Sequence, residues 1–145
     1  MIDVHTEVAG RLARTGGRYT RTRRRLVEIL ARAGAPLALP EILRGRKDLA
    51  QSSAYRNLAW LEEAGMIRRV ASEDGYARYE LSETLTGHHH HLICSGCGRV
   101  EDVDIPGDLE RRLDRTLDGL ARRAGFATVS HRLDLIGLCR DCAGP

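Results

Sequence analysis

At 145 residues, with 42% hydrophobic and 30% charged side chains, the chain has the balance of one folded domain or two small ones and not that of a disordered or fibrous protein. No apolar run approaches the ~18 residues that a membrane-spanning helix needs. The N-terminal MIDVHTEVAGRLARTGG carries early acids and no apolar stretch of the secretory kind, so a cytoplasmic protein without a membrane partner is expected. The net charge of +3 conceals a split, with 15 Lys+Arg against 10 Asp+Glu over residues 1–82 and 8 against 10 over residues 83–145.

Val8 to Arg14 reads as a weak amphipathic helix, broken by Gly16-Gly17. Arg11 to Arg25 then holds seven arginines and no acid, a stretch able to neutralise a phosphate backbone; a solvated basic face is the plainer alternative. Thr20 or Thr22 is placed to cap a helix to about Ala33, with Leu26, Ile29 and Leu30 on one face and Gly34-Ala-Pro36 as its stop. Pro40 suits the first turn of a short helix through Ile42 and Leu43. Gln51-Ser-Ser53 offers a cap for a longer helix over Ser52–Ala64, ended by Gly65. Met66–Ala71 and Tyr76–Leu81 are strand-like runs around the turn Ser72-Glu-Asp-Gly75.

Three helices followed by a two-stranded hairpin is the order of a winged helix-turn-helix, whose last helix enters the DNA major groove. On that reading Ser52, Ser53, Tyr55, Arg56 and Asn57 are candidate base or phosphate contacts, joined by Arg18, Thr20 and Arg23 of the basic stretch. Arg68, Arg69 and Arg78 of the hairpin are expected to reach flanking backbone. Residues 83–87 (ETLTG) read as a hinge. Beyond it, His90–Cys94 and Arg99–Asp104 are short strands, Asp108–Arg123 is a helix with Leu109, Leu113, Leu117 and Leu120 at helical spacing, and residues 127–138 alternate like a long strand.

All four cysteines lie in this second half, as Cys94-Ser-Gly-Cys97 and Cys139-Arg-Asp-Cys142 with 41 residues between the pairs. In a chain without an export signal, two such pairs read as one closed tetrahedral zinc site, Gly96 and Gly98 permitting the tight turn. Four thiolates leave no position for water or substrate, so the ion is structural and a hydrolytic enzyme is not expected. His88, His89, His90 and His91 form an internal tract. In extended chain, His89 and His91 face one way and His88 and His90 the other, so one tract can serve two metal sites. Alone, His131 is a hydrogen-bonded core residue.

RYTRTRRRLVEIL, SSAYRNLAWLEEAGMI, RYEL, HHHHLICSGCGRVEDV and GFATVSHRLDLIGLCRDC, in this order and spacing from about Arg18 to Cys142, resemble the ferric uptake regulator family of metal-dependent bacterial transcription factors. The resemblance implies an α+β chain: a winged-helix DNA-binding domain (1–82), a hinge (83–87) and a small α/β dimerisation domain (88–145) holding the four-cysteine zinc. It implies a homodimer that binds double-stranded DNA at a palindromic operator and represses metal-homeostasis genes when a divalent metal (Fe2+, Zn2+ or Mn2+) is bound. Carried over by position, a hinge site takes Glu80, His89, His91 and Asp102, with Glu101 a neighbour that could substitute. Leu37 stands about where the family has a further histidine, and the stretch from Glu80 to the tract is about two residues longer than usual. A second site takes His88, His90, Glu110 and His131, with Asp114 one turn along as an alternative to Glu110. A peroxide-sensing regulator of the same family, and a constitutive DNA-binding protein with structural zinc only, are the alternatives.

Overall fold

A computed structural model describes residues 3–127 and 130–144. Helix α1 (Val4–Arg14) begins earlier than its apolar spacing suggests, because the Asp3 carboxylate accepts from the His5 and Thr6 backbone N–H groups and caps it. Helix α2 (Arg21–Ala33) is capped by Thr20 and closed by Gly34 at φ 64°, a left-handed position that glycine takes without strain. Two residues of strand, β1 (Leu37–Ala38), lead into α3 (Leu39–Leu43), with Pro40 in its first turn. Helix α4 (Gln51–Glu63) starts one residue before the expected Ser52, on Ala50, and no side chain caps it; Gln51, Ser52 and Ser53 lie inside its first turn.

Strands β2 (Ile67–Val70) and β3 (Arg78–Leu81) form the wing, shorter than the sequence runs. The sheet order is β1-β3-β2, all antiparallel, so the unforeseen β1 makes β3 a central strand. One core serves this half: Val8 and Leu12 of α1, Leu26, Val27, Ile29 and Leu30 of α2, Ile42, Ala54, Leu58 and Leu61 pack with Ile67, Tyr79 and Leu81 of the sheet. Full burial of each such leucine contributes about 1.5–3 kcal/mol. Trp60 closes one edge, with the Arg23 guanidinium 3.3 Å above its ring and Gly17 beneath, where a Cβ would overlap the indole.

The segment expected to be a hinge contains one helical turn, α5 (Glu83–Thr86), and Arg11 of α1 donates to the Thr84 carbonyl at 2.9 Å. In the second half, β4 (His90–Cys94) lies between antiparallel β5 (Val100–Val103) and parallel β6 (Asp134–Gly137). Helix α6 (Gly107–Arg123) and the short α7 (Arg140–Ala143) complete the chain. Of the long strand expected over residues 127–138, the described residues form the four of β6; Thr128 and Val129 lie outside the described residues.

This half buries little. Ile93 and Val100 share a small cluster with Val70 of the wing, whereas Leu109, Leu120, Phe126, Leu133, Leu135, Ile136 and Leu138 are exposed. Among the described residues, no helix is long and apolar enough to cross a membrane.

Candidate metal centres

Three groups of ligand-type side chains, among the described residues, each bring their donor atoms within 4.8 Å of one another. The first is Cys94, Cys97, Cys139 and Cys142. The end of β4 and the turn after it carry Cys94 and Cys97, and the second pair lies at the start of α7 and within it. Gly98 completes the turn at φ 74°, and Gly96 is pressed against the Cys142 side chain. The Cys97 and Cys139 sulfurs lie 3.9 Å apart, close to the ~3.8 Å edge of a tetrahedron with metal–sulfur bonds of ~2.3 Å. Backbone N–H groups of Cys139 and Cys97 hold the Cys94 thiol down at about 6, while bonding from the neighbouring thiols pushes Cys142 up to about 12. Four thiols held this closely share their protons poorly, and a thiolate-binding cation such as Zn2+ fits the set.

The second group is Glu80, His89, His91 and Asp102. Glu80 is on β3 of the wing sheet, while the other three belong to the second half, with Asp102 directly across the β4–β5 ladder from His91. Glu80 Oε2 lies 3.0 Å from His89 Nε2 and 3.1 Å from His91 Nε2, and Asp102 Oδ1 is 3.9 Å from each ring. The far nitrogens are also held: His89 Nδ1 by the Gly87 carbonyl at 3.1 Å and His91 Nδ1 by Asp134 at 3.2 Å.

Both rings thus face acceptors on both sides, which favours the doubly protonated imidazolium. Burial works to lower His89 and His91, but the hydrogen bonds and charge of Glu80, together with Gly87 and Asp102 at His89 and Asp134 at His91, leave both raised above 6.5. Burial likewise works to raise Glu80, yet hydrogen bonds from His91, His89 and Arg68 hold it at about 2. Asp102 is raised, chiefly by burial. The Nδ1 acceptors are those that orient a metal-binding histidine, and a divalent cation can take the place of the Nε2 protons.

The third group is His88, His90, Glu110 and His131. Glu110 Oε2 is 2.9 Å from His90 Nε2, and Oε1 is 3.0 Å from His131 Nε2 and 3.3 Å from His88 Nε2, without the alignment of a hydrogen bond. His90 Nδ1 is buried with no partner among the described residues. The bond from His90 lowers the Glu110 carboxyl. Three imidazoles and a carboxylate in contact, with unsatisfied buried atoms among them, suit a nitrogen- and oxygen-ligated divalent cation.

The structure separates alternatives that spacing leaves open. Glu101 turns onto Arg99 at 2.6 Å, so Asp102 is the acid that faces Glu80. Asp114 reaches His131 Nδ1 at 3.1 Å, behind the ring, and Glu110 occupies the cluster. Leu37 is in β1, paired with Tyr79, and supplies no donor. Asp134, Glu83 and Arg68 surround the clusters, and sequence spacing points to none of them. Asp134 meets His91 across 43 residues, a pairing only the β4–β6 register creates.

The candidate DNA face divides in two. Ser52, Tyr55 and Arg56 are exposed at the start of α4, and Arg18 and Thr20 are exposed before α2. Arg23 and Asn57 are engaged inward: Arg23 donates to Asn57 Oδ1 at 3.1 Å and to the Arg18 carbonyl at 2.6 Å, and Asn57 donates to the Ser53 carbonyl. In place they join α2 to α4. Of the wing arginines, Arg78 is buried against Asp74 and Arg68 is held by Glu80 and Glu83, so neither is free to reach flanking backbone in this arrangement; Arg69 pairs with Glu62 and stays half exposed.

Residues 14–136 match the Ferric uptake regulator family. The Ferric uptake regulation protein of Cupriavidus metallidurans is 39% identical over 103 residues, covering 70% of this chain and 67% of that protein. The Peroxide operon regulator of Bacillus subtilis is 28% identical over 136 residues, covering 91% and 88%. Among solved structures, the Vibrio cholerae ferric uptake regulator superposes with a TM-score of 0.70 at 26% identity, covering 91% of this chain and 99% of that one.

Proposed function

The chain belongs to the ferric uptake regulator family, and from that premise we propose that it is a metal-responsive DNA-binding repressor, working as a homodimer on a palindromic operator. One observation carries the reading: Glu80, part of the DNA-binding half, is within bonding reach of His89 and His91 in the other half. With Asp102 these side chains would hold a divalent cation, and when bound it supplies positive charge that draws all four donors together. Nitrogen and oxygen donors suit Fe2+, Mn2+ or Zn2+, with availability deciding among them.

Glu80 and the two histidines then fix the angle between residues 1–82 and 88–145 across the hinge at 83–87. Two recognition helices at a fixed spacing match two half-sites one helical turn apart. Orientations that do not match dilute the competent fraction and lower the apparent affinity in proportion. Ser52, Tyr55, Arg56, Arg18 and Thr20, all exposed, would make the contacts, with Ser53, Arg23 and Asn57 supporting them. The exposed apolar faces of α6 and β6 are supported as the surface covered by a second copy, since such faces lack any other cover among the described residues.

The test is binding to DNA fragments selected from a genomic pool, measured with added Fe2+ or Mn2+ and with chelator. Metal-dependent binding is expected, lost in His89→Ala while one cysteine-bound zinc per chain remains. Chelator-insensitive binding that His89→Ala leaves unchanged would instead support a constitutive DNA-binding protein. The peroxide-sensing reading is favoured by the Bacillus relative and by the imidazole-rich centre; it predicts that peroxide abolishes binding by the iron-loaded form and spares the manganese-loaded form.

A further inference from the structure

The two histidine–carboxylate centres are joined by an unbroken chain of charged contacts. Arg68 on β2 lies directly across the wing ladder from Glu80 on β3. Its Nε donates to Glu80 Oε1, leaving Oε2 for His89 and His91. Its Nη1 forms an ion pair with Glu83 Oε1 at 2.8 Å. The other oxygen of Glu83 faces His88 Nδ1 at 3.2 Å, and His88 Nε2 enters the second centre, 3.3 Å from both Glu110 and His131. Each carboxylate therefore spends one oxygen on Arg68 and the other on a histidine. The Arg68 and Glu80 side chains are largely buried, 18% and 7% exposed, which limits how far either can wander. Arginine's planar fork can hold two carboxylates at fixed geometry, and a lysine cannot.

We propose that Arg68 and Glu83 are positioning residues that couple the two centres, so that filling one favours filling the other. The inference rests on the reading that both centres bind metal. Occupying the first centre fixes Glu80, and through the fork it fixes Arg68, Glu83 and the ring of His88. The second ion then meets a ligand already ordered and loses less conformational freedom on binding. Repulsion between two dications opposes this through space and does not depend on the relay. The hinge helix, through Glu83, is itself part of the connection.

The experiment is Co2+ titration of the full chain with zinc retained at the cysteines, each centre followed by its visible absorption. His131→Ala isolates the first centre and His89→Ala the second. The coupling factor is the product of the two association constants in the parent divided by the product of the isolated ones. A favourable factor of at least about fivefold is expected in the parent. In Glu83→Gln and in Arg68→Lys it is expected to fall to one or below, leaving only the repulsion. A parent factor at or below one, or a favourable factor that survives in either variant, overturns the proposal. A parent that takes up no cobalt beyond its zinc overturns the metal-centre reading itself. Glu83→Gln, in the partly exposed hinge, keeps side-chain shape and guards against a result caused by misfolding.

Discussion

Replacing Glu80 with Gln keeps the shape of the side chain and removes the charge that Arg68, His89 and His91 face. Its carboxyl is held at about 2 against an ordinary 4.5. By linkage that difference corresponds to about 3 kcal/mol of folded-state stabilisation. The sign follows from the direction of each shift. A depressed carboxyl contributes above its ordinary value and loses that contribution as pH falls through the folded one. His89 and His91 are raised above 6.5, so their share is present below 6.5 and fades as pH rises through their folded values.

All the partners therefore act together between 4.5 and 6.5. Denaturant unfolding of the zinc-retaining, otherwise metal-free chain should show Glu80→Gln less stable by about 3 kcal/mol near about pH 6. The gap should narrow as pH rises through the folded values of the two histidines, which leaves Arg68 as the charged partner. A gap that is absent, constant or wider at the higher pH would refute the reasoning.

Metal uptake at the first centre should displace protons from His89 and His91, so calorimetry in buffers of different ionisation enthalpy should show release of up to about two protons per ion near neutral pH, and affinity should fall as pH drops. Cys142→Ser should lose the zinc and, with it, the protease resistance of residues 88–145, while the helical signal of the first half persists. Gly17→Ala forces a methyl group into the Trp60 ring and should lower stability by about 1–3 kcal/mol in a thermal melt, with the metal centres unaffected. Because the leucine faces of α6 and β6 are exposed in the single chain, the melting temperature should rise with protein concentration, and Leu135→Glu should abolish that dependence.

The cysteine cluster and the two-sidedness of the histidine tract could be read from spacing, whereas the acids and His131 beside them came from the family resemblance. Two C-x-x-C pairs can converge on one ion almost irrespective of the fold between them, and alternation along His88–His91 assigns the rings to two sides before any strand is known. The choices that failed or stayed open depend on contacts distant in sequence. The start of α4 could not be read because serines inside a first turn look like serines that cap one. The wing arginines look solvent-facing until β1 joins the sheet and β3 becomes central, which buries Arg78 and Glu80. Asp134 is legible only through the register that pairs it with His91, and the choice between Glu110 and Asp114 is a matter of which turn of α6 faces the tract. Of the long final strand, the described residues show only Asp134–Gly137, the stretch whose register with β4 supplies its hydrogen bonds.

The loop between β2 and β3 rests on the cysteine knuckle. Ser72 Oγ donates to the Gly98 carbonyl at 2.7 Å, Asp74 braces Arg78, and the Asp74 carboxyl lies so close over Gly98 that any side chain there would displace it. The floor beneath the wing is therefore made by the fold that the thiols close. An oxidant that joins those sulfurs, or a scavenger that strips their ion, would remove that support while leaving the candidate DNA contacts chemically intact. Loss of the cysteine-bound ion and loss of an ion at Glu80, His89, His91 and Asp102 would then act on the wing sheet through different residues, the first through Ser72 and Asp74 and the second through Glu80.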